Sequence, residues 1–183
     1  MELLVLGLVA TIGFASYALW SRAQATGPSE KREERTVANL QVGDIVQYLG
    51  TDFIVEGSLT LAEEDAKGPG PRLYRIADGG RERDLYSAPG GELLFLDETT
   101  LVDTTISDAL EHQGQHFRTR EQVRSTALRS GQVGTRRMGG RVMVRLYAAG
   151  TSSRLLLLEW PDHLDAFSGE RVSPNLVDVL PGK

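Results

Sequence analysis

Residues 141–160 read RVMVRLYAAGTSSRLLLLEW. Val142, Val144, Leu146 and Ala148 alternate with Met143, Arg145 and Tyr147, the period of two expected of a strand with one buried face. Gly150-Thr151-Ser152 supplies a turn, and the four leucines 155–158 suit a strand buried on both faces. Pro161 stops it. Parallel pairing needs long crossover helices, for which this sequence has no room, so antiparallel strands are expected.

Upstream the same texture recurs. Val42-Gly43-Asp44 leads into IVQYL, Gly50-Thr51-Asp52 turns, and FIVEGSLTL follows. There Phe53, Val55, Leu59 and Leu61 share one face around Gly57, with Ile54, Glu56, Ser58 and Thr60 on the other. Residues 63–71 (EEDAKGPGP) have loop composition. LYRIAD, Gly79-Gly80 and RDLYSA suggest a second hairpin; Pro89-Gly90-Gly91 turns the chain into the strand ELLFLDE. Residues 105–112 (TISDALEH) are expected to make one or two helical turns before Gly114. Two readings stand for 115–130: an extended strand, loosely, from Phe117, Thr119, Glu121 and Val123, or a short helix over 120–128. Residues 162–169 are expected as a loop and 172–180 as a final strand with Pro174 near its start. The fold class is mainly β, an antiparallel meander that is barrel-like or a sandwich.

The N-terminal run LLVLGLVATIGFASYALW, Leu3 to Trp20, has no charge over 18 residues. As a helix it spans about 27 Å, enough for a bilayer core. Tyr17 and Trp20 suit the headgroup level at its end, and Arg22 follows. Basic residues Arg22, Lys31, Arg32 and Arg35 on the C-terminal side predict a single-pass inner-membrane protein, N-terminus out and domain in the cytoplasm. Ala23-Gln24-Ala25 offers the rival reading, a cleaved signal and a secreted domain. Gly7, Thr11 and Ala15 lie on one helix face and form a candidate pairing surface for a homo-oligomer. The expected organisation is an anchor over 1–20, a polar linker over 21–36 and one mainly β domain over 37–183.

The absence of cysteine excludes disulfides, thiolate catalysis and thiolate metal sites. The net charge of −5 is uneven. Residues 36–111 hold 15 acidic and 5 basic side chains, whereas 112–145 hold 8 arginines and only Glu121. Pairing of the two regions within the fold is the default. The sharper alternative is a basic face at Arg136, Arg137, Arg141 and Arg145 for anionic lipid, although Arg137, Arg141 and Arg145 do not obviously share a strand face across Gly139-Gly140. Few aromatics interleave these arginines, so nucleic acid is not expected. His112 and His116 are four apart beside Glu111, but Gly114 intervenes, and solvated histidines fit better than a metal pair. Glu63, Glu64 and Asp65, and likewise Asp97 and Glu98, are expected to be solvated carboxylates. No nucleophile elbow, Walker loop or dinucleotide fingerprint occurs, so no catalytic, cofactor or metal residues are assigned.

The phrases LQVGDIVQYLGTDFIVEGSLTL, LYRIAD, LYAAGTSSRLLLLEWPD and SGERVSPNLVDVLPG resemble the bacterial domain of unknown function 4178, over about residues 40–182. The matching motifs are turns and core strands. The resemblance implies an uncharacterised, mainly β accessory domain of envelope-associated bacterial proteins. The expected function is a membrane-tethered, non-catalytic binding or scaffold module with a protein partner. The alternative is an accessory subunit or enzyme with an unrecognised site.

Overall fold

The computed structural model describes residues 35–64, 66–102, 105–134 and 139–182. The run from Leu3 to Trp20, its Gly7, Thr11 and Ala15, and nearly all of the linker lie outside them. Among the described residues no helix is long and apolar enough to cross a membrane.

Among the described residues eleven strands follow one another: β1 Ile45–Tyr48, β2 Thr51–Glu63, β3 Arg72–Ala77, β4 Glu82–Ser87, β5 Leu93–Thr99, β6 Ala109–His112, β7 Gln115–Gly131, β8 Gly140–Ala149, β9 Ser153–Glu159, β10 Leu164–Val172 and β11 Val177–Leu180. Every pairing is antiparallel. The order β2-β3-β4-β5-β10-β9-β8-β7 closes on itself through β2–β7, giving an eight-stranded barrel. Closure leaves the barrel no free edge. The strands β1 with β11, and β6, extend the sheet outside the ring.

The barrel is built from two copies of one five-strand unit. In the first, Leu49-Gly50 joins β1 to β2; in the second, Gln113-Gly114 joins β6 to β7, 64 residues on. All four residues have positive φ, the two-residue turn whose twist matches a hairpin. Val55 N–H donates to Asp44 O at 2.8 Å, and Thr119 N–H to Asp108 O at 2.9 Å, again 64 apart. β2 is bulged against β3 between Val55 and Gly57, and β7 against β8 between Thr119 and Glu121. The offset of 64 holds to the end of β2 and β7 and becomes 71 between β3 and β8 and between β5 and β10, so Arg75 corresponds to Leu146 and Leu96 to Phe167. Both closing seams obey the resulting pseudo-twofold axis. Ala62 pairs with Thr126 and Asp97 with Ser168, each residue facing its own counterpart.

The lumen is packed with side chains from all eight strands, among them Leu59, Tyr86, Leu96, Val144, Leu158 and Phe167. A second cluster lies under β1 and β11, with Val46, Phe53, Ile76 and Phe95 at its centre. A third, smaller one lies at the equivalent place beside β6, around Phe117, Tyr147 and Leu157.

The structure bears out the barrel expectation and corrects five local ones. Residues 109–112 are strand β6, not a helical turn, because they pair with β7 across the Gln113-Gly114 turn. Residues 115–131 are one continuous strand, which removes the helix over 120–128. Residues 164–172 are strand β10, not a loop, because they seal the ring between β5 and β9. The last strand is only Val177–Leu180, since Pro174–Leu176 forms a 3-10 turn. The first hairpin turns at Leu49-Gly50, so Thr51 and Asp52 already belong to β2.

Candidate functional site

Side chains alternate along β7 and β8, so Val142, Val144 and Leu146 enter the lumen while Arg141, Met143 and Arg145 face out. Pairing of Thr126 with Arg141, Arg124 with Met143 and Gln122 with Arg145 sets Arg124 beside the two β8 arginines. These three arginines, with Glu64, Glu159 and Trp160, line an open cleft of about 420 Å³. Arg141 and Arg145 therefore do share a strand face. Arg136 and Arg137 lie outside the described residues.

The arginines differ in freedom. Arg145 Nη1 donates to Gln122 Oε1 at 2.6 Å and Nε to Glu159 Oε2 at 3.3 Å, which fixes it. Arg141 is 88% exposed and reaches Glu64 only at 3.9 Å, a contact that water weakens. Arg124 is exposed and has no side-chain partner among the described residues. The default of pairing between the acidic and basic regions thus holds for Arg141 with Glu64 and leaves Arg124 open. An open cleft with one open guanidinium group and a second held only by a weak, exposed ion pair can bind an anionic group by charge-assisted hydrogen bonds. The sequence singled out Arg141 and Arg145 but missed Arg124, which joins them only through cross-strand register.

At one mouth of the lumen, Glu56, Arg75, Glu82, Arg129, Gln132 and Gly134 line a second cavity of about 360 Å³. Its polar groups are mostly spoken for. Arg75 Nη1 donates to Asp84 at 2.9 Å and Nη2 to Glu82 at 2.6 Å.

The remaining candidates do not converge. His112 is buried beside Thr99, 3.3 Å from its Oγ1, while His116 is 86% exposed near Glu111. Among the described residues no three His, Cys, Asp or Glu side chains cluster to hold a metal. Glu63 ends β2 and Glu64 borders the arginine cleft; Asp65 lies outside the described residues. Asp97 is not a solvated carboxylate. Arg81 and Arg83 both grip it, each with two contacts of 3.0 Å. Glu98 is 3.9 Å from Arg75.

Glu121 sits in the β7 bulge. Burial, then the charges of Glu63 and Glu92, push its carboxyl above the ordinary value. The folded chain therefore holds this proton more tightly than the unfolded one. That contribution to stability is full below the ordinary glutamate value and is lost as pH rises through the raised one. Glu121→Gln is expected to raise Tm at about pH 7 and to change nothing near pH 3. Circular-dichroism melts at the two pH values check this.

No curated protein and no solved structure matches this chain. A family model does match, over residues 41–174, a range that takes in every strand of the barrel and stops short of β11. With well over half its length matched, the chain belongs to the family described as Domain of unknown function (DUF4178).

Proposed function

We propose that this chain is a membrane-tethered, non-catalytic binding module whose arginine cleft takes anionic groups, lipid headgroups foremost. The observation that carries the reading is the exposed face on which Arg124 stands open and Arg141 is held only by a 3.9 Å contact to Glu64. The uncharged run from Leu3 to Trp20 supports a tether, and the polar segment 21–36 a short leash. On this reading the protein spans the inner membrane once, N-terminus out, with the barrel in the cytoplasm and its cleft near anionic headgroups. Gly7, Thr11 and Ala15 would pair two anchors. The non-catalytic role is supported by a lumen filled with apolar side chains and by acids already bonded to arginines. A protein partner recruited to the membrane completes the proposal.

Residues 35–183 form a compact unit with a closed barrel and cores of their own, so the domain can be tested without the tether. It is expected to float with vesicles containing phosphatidylglycerol at low salt and to be released at about 0.5 M salt, where the screening length falls to a few ångströms. Arg124→Glu with Arg141→Glu should abolish flotation while leaving the melting curve in place. Equal flotation with neutral phosphatidylcholine would remove the electrostatic reading.

A further inference from the structure

We propose that the free edge of β6 docks an extended peptide segment of another protein, which joins the sheet as an added strand. The two halves of the barrel carry equivalent edges in different states. In the first, β1 has β2 on one side and β11 on the other, with Tyr48 opposite Val177 and Val46 opposite Val179. In the second, β6 has β7 on one side and, among the described residues, no strand on the other. A strand edge without a neighbouring strand offers backbone donors and acceptors to an incoming chain, and here Ala109 O already accepts from Ser107 Oγ, a bond the incoming strand would displace.

Two further differences mark the β6 edge as an unfilled copy of the β1 site. One is polar. Asp44 is buried, and its Oδ1 accepts Gly182 N–H at 2.9 Å, clamping the chain just after β11. Its counterpart Asp108 holds the same place at the base of the hairpin, with the same backbone bond to β7. Yet Asp108 is exposed, and its carboxylate has no partner among the described residues. The other difference is apolar. Val46 and Leu93 are buried at 0% and 1% under the β11 side of the first half. The corresponding Leu110 and Leu164 are only half-buried on the third cluster. In the first half Val177 and Val179 supply cover that has no counterpart among the described residues of the second half.

The occupant's chemistry follows from β11. It is an extended segment with apolar side chains at alternate positions, facing His112 and Leu110, and with a small residue three places after the second of them. In this chain that residue is Gly182, where a Cβ would lie 2.4 Å from Gly43 O. A second copy's β11 is a poor occupant. Its own β1 holds it at the high effective concentration of a tethered segment. This site is independent of the arginine cleft and of any lipid binding there.

The test uses the full chain in detergent micelles and a synthetic peptide, PNLVDVLPGK, which copies residues 174–183. Its Leu is replaced by photoreactive benzoylphenylalanine at the position of Leu176. Saturable 1:1 binding is expected, with cross-links to β6 rather than β1. Asp108→Ala should weaken it about tenfold, the effect of losing one charge-assisted hydrogen bond. Leu110→Asp should abolish it. Asp108 is exposed, so its variant should melt like the parent. A peptide with proline at both valine positions should not bind. Absence of saturable binding, or cross-links to residues 45–48, would overturn the proposal. So would self-association in sedimentation that Leu110→Asp abolishes, since a second copy would then be the occupant.

Discussion

Arg75→Leu alone is expected to destabilise the domain by about 3–5 kcal/mol, and adding Asp84→Leu to recover most of that loss. Asp84 is fully buried on the lumen side of β4, and Arg75 faces it in register across β3–β4. Their bond is 2.9 Å long. Removing the guanidinium takes from a carboxylate in a poorly solvated interior its 2.9 Å ion-pair contact. Removing both charges together avoids that penalty. Apolar replacement of a buried ion pair is then neutral or favourable, provided the volume fits. The pseudo-symmetry indicates that it does. At the equivalent positions β8 and β9 carry Leu146 opposite Leu156, buried at 2% and 0%. Urea unfolding midpoints of the parent, both single variants and the double variant complete the cycle. A double variant no more stable than Arg75→Leu would mean that the contacts of Arg75 with Glu82 and Glu98 matter more than the buried pair.

The contrast between the two halves also explains which parts of the fold were legible in the sequence. Residues 141–160 announce a hairpin because they sit in the wall of a filled lumen, where alternation and burial coincide. β7 hides itself. Its bulge at Thr119 and Glu121 breaks the phase, and most side chains at both of its ends are exposed, so polar residues fall on both faces. Ala109-Leu110-Glu111 are good helix formers, and only the turn at Gln113-Gly114 and pairing with β7 make them a strand. β10 carries Asp165, Ser168 and Gly169, a loop-like composition, yet a neighbour on each side holds it extended. The duplication does leave a trace. Asp44, Gly50 and Phe53 recur as Asp108, Gly114 and Phe117 at a constant 64 residues. Those are the hairpin base, its turn and its buried aromatic, the positions that backbone geometry constrains most. The cleft was legible as arginine content but not as geometry, because Arg124 and Arg141 meet only through β7–β8 register.

Gly169→Val is expected to be the most damaging single substitution in the barrel, costing more than about 4 kcal/mol and sharply lowering soluble yield. Gly169 lies opposite Leu96 on the seam where β10 of the second half meets β5 of the first. A Cβ there would stand 2.0 Å from Phe95 O and 2.9 Å from Leu96 Cα. Both are backbone atoms in a central ladder, so no side-chain rotation relieves the clash. The strands must separate, and hydrogen bonds that close the ring must break with them. The other seam has the same device, since a Cβ on Gly57 would lie 2.4 Å from Gln132 O. Gly150 provides the control. It sits in the β8–β9 turn with a φ of +64° and open space around a Cβ, so Gly150→Ala should cost only about 1 kcal/mol of backbone strain. The two costs separate close approach from backbone conformation as the reason for glycine. Urea midpoints and soluble yield of the two variants, measured side by side, test this. Near-parental stability of Gly169→Val would mean that β5 and β10 part in solution. The two halves would then be joined by the β2–β7 seam alone, and the barrel would be an open sheet.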